Sequence, residues 1–443
     1  MRNYTKIIFG LFVITSLILS IVIIVPALRD HIAPHGAPLY QSGTPVACNL
    51  QAQEPELLSL PGINTKTGSI EFNRLPVIKG KHSLISRAVI HDKNANSIKY
   101  GPTYKQQNHA YLTHFNGEFW MSWTYGPPVE AMPTAHVLYA TSQDGLNWSA
   151  PKKVFSPPKA PYANIARGFW QYEGNLYLLS ANFKAPGVFS KRGRITDKEL
   201  KLALYKWSDQ DQKWHFENNI IEDGLNNFSP IKISEDSWAM TLRDDNRNVS
   251  VAKFHGDDLT HWERHHVVDE LKVENFLPDE PILFNQTDKN LHLFFRDNKL
   301  SNRLFYAGSK DSGQTWTQPV KSNFTSSYSK FFILKTSKPL YLMVLNGNPE
   351  AIRKEMHIAI SRDGLCYNRL AKLDIPTNFV ADTPLSLSFW RQRYLKFKRR
   401  SNHIMYPHAV EHNNHIYIAF SRNKTQMEMF KVDLNDLDAL LNK

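Results

Sequence analysis

The sequence predicts an all-β fold, a six-bladed β-propeller behind an N-terminal transmembrane signal-anchor helix. Three observations lead to this prediction. A short turn motif recurs along the chain, a pair of apolar segments joined by a turn recurs upstream of it, and one long uncharged run lies near the N terminus. Recurrence at this spacing is typical of propellers, in which each repeat is one small sheet.

The clearest copy of the turn motif, Ser-x-Asp-x-Gly-x-x-Trp, occupies residues 309–316 and follows an apolar segment. The Asp carboxylate accepts hydrogen bonds from nearby backbone N–H groups and the Ser hydroxyl caps the turn. Gly supplies a backbone angle that other residues resist, and Trp buries a large ring beneath the turn. None of these positions is catalytic, so the motif predicts a clasp that closes a hairpin.

Related copies of the clasp begin at Ser142 and Ser361, and weaker ones span residues 208–214 and 257–262. From Ser309 to Ser361 is 52 residues, the length of a four-stranded blade. Counting the paired apolar segments as well, we predict six blades at residues 105–155, 163–218, 226–268, 277–322, 328–374 and 378–434.

Two segments outside the repeats complete the predicted propeller. Residues 83–91 are strand-like, and we expect them to form the outer strand of the last blade, which protects the edge of that sheet. Residues 433–441 have helical spacing and predict a short terminal helix. The propeller domain is therefore predicted to span residues 69–437.

The uncharged run comprises the 22 residues 7–28 and follows Arg2 and Lys6. It is long enough to cross a bilayer at about 1.5 Å per residue, and longer than the apolar core of a cleaved signal peptide. We expect residues 1–29 to be a cytoplasmic stub and anchor, residues 30–68 a stalk, and the propeller to lie on the extracytoplasmic side of the membrane. Cleavage of the anchor would make the protein secreted.

The formal net charge of +12 favours polyanionic partners, and on charge alone lipid, nucleic acid and acidic glycan remain open. The sequence has no RNA-binding aromatic motif, phosphate loop or zinc spacing, so we predict no nucleic-acid partner, metal or cofactor, and a monomer. Because Cys48 falls in the predicted stalk and Cys366 in a blade, we expect the two cysteines not to pair.

The clasps resemble the Asp-boxes of the sialidase superfamily. The order of the C-terminal half, with Arg353 before the clasp at Ser361 and then Tyr406-Pro-His408, is similar to the BNR-repeat, sialidase-like family. This resemblance covers roughly residues 100–434. It implies a six-bladed propeller whose central pocket takes the terminal sugar of a glycan.

In sialidases three arginines hold the substrate carboxylate, a Tyr with a neighbouring Glu is the nucleophile, and an Asp is the acid/base. The resemblance implies that Arg296 and Arg353 are the second and third arginines, that Tyr406 is the Tyr, and that Glu130 takes the place of the Asp. The strand that should carry the first arginine instead begins with Gln107, Asn108 and His109. An alternative motif at residues 73–76 contains Arg74, but it lies upstream of the blade that aligns best.

Position within the blades adds further candidates, because the starts of innermost strands face the central pocket. His109 suits acid/base chemistry near neutral pH. We predict that the pocket also binds substrate through residues chosen by their position on a strand, Asn108, Arg167, Arg243, Glu280 and His408. The resemblance adds Arg296 and Arg353 to this set. A basic run at residues 391–400 would either steer a polyanion toward the pocket or be a solvated loop.

Two functions of different kinds fit these residues. The first is an exo-acting glycoside hydrolase that removes a terminal, acidic sugar, with His109, Glu130 and Tyr406 performing proton transfer or attack. A lyase acting on uronic acids would use the same groups. The second is a membrane-tethered glycan-binding propeller without catalysis, since a fold does not determine a function.

Overall fold

In the computed structural model the described residues are 47–61, 70–87, 106–127, 130, 132–185, 198–256, 258–270, 272–376 and 402–441. The strands, in chain order, are β1 (Val77–Ile78), β2 (Lys81–Arg87), β3 (Gln106–Phe115), β4 (Glu118–Gly126), β5 (His136–Ser142), β6 (Lys152–Lys153), β7 (Tyr162–Tyr172), β8 (Asn175–Lys184), β9 (Lys198–Ser208), β10 (Lys213–Glu222), β11 (Leu225–Asn226), β12 (Ile231–Ser234), β13 (Ser237–Arg243), β14 (Val249–His255), β15 (Trp262–Val268), β16 (Pro278–Asn285), β17 (Leu291–Asp297), β18 (Arg303–Ser309), β19 (Val320–Thr325), β20 (Phe332–Lys335), β21 (Tyr341–Leu345), β22 (His357–Ser361), β23 (Tyr367–Leu373), β24 (Ile404–His412), β25 (His415–Arg422) and β26 (Gln426–Asp433). A helix, α1 (Leu434–Leu441), follows them, as predicted.

These strands form six sheets, which confirms the six-bladed propeller. Blade 1 is β3–β6, blade 2 is β7–β10, blade 3 is β11–β15 and blade 4 is β16–β19. Blade 5 is β20–β23 with β1 added in parallel to β23, and blade 6 is β24–β26 with β2 as its fourth strand. The first strand of each blade is the innermost one, and we call the face where the innermost strands begin the entry face.

Strand β2 closes the propeller, as expected for the predicted outer strand of the last blade. It pairs antiparallel with β26, from Lys81 opposite Lys431 to Arg87 opposite Gln426. A strand from the N-terminal part of the sequence thereby joins the C-terminal blade and covers the free edge of its sheet. The predicted strand residues 88–91 lie outside the described part of the chain.

The core lies between neighbouring blades. Trp120 of blade 1 packs edge-on against Trp207 and Trp214 of blade 2, with ring centroids 4.8 and 5.9 Å apart. A second cluster joins blades 5 and 6 to α1 through buried leucine, isoleucine and valine side chains. Because both faces of each sheet are covered, the strands carry long apolar runs and not a simple alternation.

The clasps have the structure that the motif predicts. In the copy at 142, Asp144 Oδ1 accepts hydrogen bonds from the backbone N–H groups of Leu146 and Asn147 at 2.9 and 2.7 Å. Gly145 has φ +73°, and the Trp148 indole donates to its carbonyl at 3.1 Å. These hydrogen bonds hold the pKa of the Asp144 carboxyl well below its ordinary value. The clasps therefore stabilise the link to the outermost strand and take no part in the site.

The expectation that the two cysteines do not pair is wrong. Cys48 and Cys366 form a disulfide across 318 residues, with 5.5 Å between the Cα atoms. Residues 47–61, which fall in the predicted stalk, lie along the outer edge of blade 5. Leu57 and Leu58 are fully buried, their N–H groups donate to Asn323 Oδ1, and Leu58 forms a parallel bridge with Tyr367. Apolar side chains in a polar, Pro-rich stretch anchor this part of the segment.

Residues 71–76, which include the alternative arginine motif, belong to a unit separate from the propeller. Within it Phe72–Arg74 is a 3-10 helix, and the Arg74 guanidinium pairs with Glu71 at 2.7 Å. No helix among the described residues is long and apolar enough to cross a membrane. The predicted anchor (7–28), the remaining stalk residues (30–46 and 62–68) and the basic run (391–400) lie outside the described residues.

Candidate active site

The innermost strands of four blades are interrupted by β-bulges near the entry face. The strand register shifts directly after Asn108, Ala166, Asp279 and Met405. Three of the bulges hold a residue other than glycine in the left-handed region: His109 at φ +56°, Glu280 at φ +44° and Tyr406 at φ +58°. A bulge redirects a side chain, and strain of this kind concentrates at functional sites. The repeated distortion brings these three side chains to the centre of the propeller.

Glu130 lies at the centre of one group of polar contacts. Its Oε1 accepts hydrogen bonds from His109 Nε2 at 2.7 Å and from Asn108 Nδ2 at 3.0 Å, and its Oε2 lies 2.5 Å from Lys424 Nζ. Burial alone would raise the pKa of Glu130, but Lys424 and His109 hold it well below its ordinary value. Glu130 is therefore ionised at neutral pH and cannot serve as the proton donor that the resemblance implies.

His109 is neutral near pH 7, because burial lowers its pKa despite the neighbouring carboxylate. Since ionised Glu130 can only accept, the proton of the neutral imidazole lies on Nε2 and Nδ1 carries the lone pair. Nδ1 has no hydrogen-bond partner among the described residues. The imidazole packs against the ring of Tyr406 with centroids 5.2 Å apart. An oriented base thus lies beside a tyrosine.

Two cations approach the same tyrosine. The Arg353 guanidinium carbon lies 5.6 Å from the centroid of the Tyr406 ring, and Lys424 Nζ lies 5.2 Å from it. Arg353 is itself held by the carbonyl of Tyr328, which accepts from its Nη2 at 2.8 Å. Burial would lower the pKa of Lys424, but Glu130 raises it, so the ammonium stays charged. A developing negative charge near Tyr406 would be stabilised here.

On blades 3 and 4 a second group of charges forms an ion-pair network. Arg243 Nη1 lies 2.7 Å from Asp279 Oδ1, and Arg296 Nη1 lies 2.6 Å from Glu280 Oε2. Asp279 is also 4.0 Å from Arg296 and accepts a short hydrogen bond from Asn298. Burial would raise the pKa of Asp279, but Arg243 and Arg296 lower it. Each guanidinium in this network has a carboxylate partner.

Most of the predicted site residues come together, with roles that the structure refines. Asn108 is fully buried and donates to Glu130, so it positions that carboxylate and does not reach a substrate. Arg167 is buried beside His109, close enough to lower the pKa of that imidazole, and has no carboxylate partner among the described residues.

His408 has a different environment from the one predicted. Its ring packs against Phe332 with centroids 4.0 Å apart and lines a mainly apolar cavity of about 270 Å³ further along the innermost strands. Burial lowers its pKa well below the ordinary value. We therefore assign His408 to the wall of this cavity and not to the binding of the sugar. It lies two residues beyond the bulge at Tyr406.

Sequence reasoning missed Lys424. It lies in the turn between β25 and β26, and its carbonyl accepts from the N–H of Gln107 at 2.8 Å, which fixes the turn against blade 1. The sequence signal was weak: a lysine follows an asparagine between two strands, where solvated lysines are common. Among the described residues no cluster of His, Cys, Asp and Glu could hold a metal ion.

Comparisons with known proteins agree with the propeller fold. The family model for the BNR repeat-like domain matches residues 196–418, half of the chain, and a model for an N-terminal beta propeller matches residues 64–194. No curated protein matches.

Several solved structures share the fold. A Hadza microbial sialidase is 14% identical with a TM-score of 0.55, over 75% of this chain and 66% of that one. A Trypanosoma rangeli sialidase in complex with sialic acid is 11% identical with a TM-score of 0.54, over 83% and 61%. A protein of unknown function from Dyadobacter fermentans is 13% identical with a TM-score of 0.55, over 80% and 98%. The chain thus spans just under two thirds of the length of the two sialidases. It belongs to the BNR repeat-like family, and its fold is the six-bladed propeller of the sialidases.

Proposed function

We propose that this protein is an exo-acting glycoside hydrolase that removes a terminal acidic sugar from glycans. The ring of Tyr406 packs against that of neutral His109, and His109 Nε2 is hydrogen-bonded to ionised Glu130. This arrangement is the observation that carries the proposal. A nucleophile, a base and a group that orients the base form the usual arrangement for covalent catalysis. A binding module would need the cations but not this arrangement.

The chemistry follows from the proton positions. Tyr406 Oη attacks the anomeric carbon while His109 Nδ1 takes the phenol proton, and the bond from that carbon to the leaving oxygen breaks. The leaving oxygen departs on the face of the sugar opposite Tyr406 and takes its proton from a water molecule there. In the second half, the hydroxide formed from that water attacks the anomeric carbon, and His109 returns its proton to Tyr406 Oη as the bond from Tyr406 to the sugar breaks. Two inversions give retention of configuration.

The positive groups supply the preference for an acidic sugar. Arg353 has no carboxylate partner among the described residues, and a guanidinium binds a carboxylate with two hydrogen bonds. A tyrosine nucleophile also approaches an anionic sugar with less repulsion than a carboxylate would.

The test uses the full chain and a panel of aryl glycosides of sialic acid, uronic acid, sulfated sugar and neutral sugar. Arg353→Ala should lower kcat/KM on the acidic substrate about 30-fold or more, because a largely buried charge contact is lost. Arg362→Ala, an exposed arginine in the clasp at 361, is the matched control and should leave kcat/KM unchanged.

Two results would contradict the hydrolase, and a third would contradict its preference for an acidic sugar. Release of an unsaturated, ultraviolet-absorbing product would identify a lyase. Binding of acidic sugars without release of product would identify a glycan-binding propeller. Equal turnover of neutral and acidic sugars would show that the cations do not produce a preference for the acidic sugar.

A further inference from the structure

Lys424 occupies a backbone conformation that a lysine seldom adopts. In the turn between β25 and β26, Asn423 has φ +54° and Lys424 has φ +57°. Left-handed angles are unfavourable for residues other than Gly, Asn and Asp, because Cβ then lies too close to the backbone. Glycine would therefore suit position 424 better for folding alone. An observed strain of this kind is a reason to look for a role of the side chain.

The Lys424 side chain points into the site. Its ammonium lies 2.5 Å from Glu130 Oε2, and the side chain as a whole is 18% exposed. It lies over the Tyr406 ring, as does Arg353, so that two like charges approach one ring. Glu130 already accepts from Asn108 and His109, and Arg353 has no carboxylate partner among the described residues. The surroundings of Tyr406 thus carry an excess of positive charge.

We propose that Lys424 and Arg353 together bind the acidic group of the terminal sugar, which makes Lys424 a residue that determines substrate specificity. Lys424 reaches the site from the turn between β25 and β26 of blade 6, where it contacts Glu130. This inference rests on the proposed function, because it concerns the same site and the same sugar.

The pairing of one lysine with one arginine has a chemical consequence. Arg353 presents a planar fork to two oxygens, whereas the Lys424 ammonium is a compact charge with rotatable donors. Together they suit a carboxylate attached to a sugar ring, with two oxygens on the fork and one hydrogen bond from the ammonium. A sulfate ester offers the same charge in a tetrahedral group, so the test includes both.

The experiment measures dissociation constants by titration calorimetry for the full chain at low and high salt. The probes are glucuronic acid, N-acetylneuraminic acid, glucose 6-sulfate and neutral glucose. The variants are Lys424→Met and Lys424→Arg. Lys431→Met is the matched control, since Lys431 also lies in blade 6 with its ammonium 5.0 Å from the centroid of a tyrosine ring, that of Tyr417.

We expect Lys424→Met to weaken binding of at least one carboxylated sugar 10-fold or more, and to reduce the salt dependence of that binding. Lys424→Arg should restore affinity to within a few-fold, and Lys431→Met should change nothing. If Lys424→Met does not fold, the double variant Lys424→Met/Glu130→Gln removes both charges of the pair and should show the same loss.

Unchanged affinity for acidic sugars in folded Lys424→Met, or no binding of any acidic probe by the unaltered protein, overturns the inference. Preference for the sulfated probe over both carboxylates overturns the assignment of a carboxylate. The two proposals fail separately. Charge-dependent binding without turnover contradicts only the hydrolase, and turnover with an unchanged KM in Lys424→Met contradicts only the role of Lys424.

Discussion

The two sides of the pocket hold similar residues in different electrostatic states. On blades 3 and 4, Arg243 and Arg296 are each paired with a carboxylate at 2.6–2.7 Å. Around Tyr406, Lys424 is paired with Glu130 at 2.5 Å, whereas Arg353 has no carboxylate partner among the described residues. The comparison teaches that an arginine in a pocket is not by itself an anion-binding group. We expect the paired side to maintain the shape of the pocket and the side around Tyr406 to bind and react.

The largest effect should come from breaking the paired side. Arg296→Ala leaves Glu280 and Asp279 buried with one guanidinium fewer, so we expect the free energy of unfolding to fall by about 3–5 kcal/mol. Arg353→Ala should cost about 1 kcal/mol, since it removes a hydrogen bond to a carbonyl. Denaturant unfolding of both variants measures the difference.

The double variant Arg296→Met/Glu280→Gln is the control for Arg296, because it removes both charges and should recover most of the stability. Equal losses in Arg296→Ala and Arg353→Ala would contradict the division of the pocket into two sides.

A second prediction concerns catalysis on the other side. His109→Gln keeps an N–H donor near Glu130 but removes the base, so kcat should fall by about 10²- to 10⁴-fold. Affinity for the acidic sugar should change little, because the cations are intact. Steady-state kinetics measure kcat, and calorimetry measures the affinity for the sugar. His215→Gln, a substitution of an exposed histidine, is the control. A loss confined to KM would show that His109 binds substrate and transfers no proton.

The smallest effect is a shift in pH dependence. As a base His109 must be neutral, and its pKa lies below the ordinary 6.5, so activity should persist below pH 6.5 and fall as the pH drops through the pKa of His109. Glu130 raises that pKa. Glu130→Gln should therefore move the acid limb of the kcat/KM profile to lower pH, in addition to reducing the maximum. Loss of the acid limb in this variant would mean that Glu130, and not His109, titrates in this limb.

The fold was largely predictable because its signals are local. Each clasp is a set of hydrogen bonds within seven or eight residues, so Asp144 and Gly145 report their structure directly in the sequence. The closing strand and the terminal helix were also found, because their patterns are contiguous. The partner of Cys48 was missed because it lies 318 residues away, and no local pattern reports such a distance.

The site was predicted in part for the same reason. His109, Glu280 and Tyr406 start innermost strands, a position that the repeat itself identifies. The charge and the ion-pair partner of each group depend on neighbours from other blades. The sequence does not report which residues these neighbours are. Asp279 as the partner of Arg243, and Lys424 as a partner of Glu130, result from contacts between residues 36 and 294 positions apart.

The disulfide at Cys366 also decides where a mechanical load on the chain would be carried. Cys48 precedes β2, so tension applied to the residues before position 47 passes through the covalent bond into blade 5. The hydrogen bonds between β2 and β26, which close the ring of blades, lie downstream of that point and do not bear the force. Pulling on the N-terminal end should therefore leave the ring closed until the disulfide is reduced.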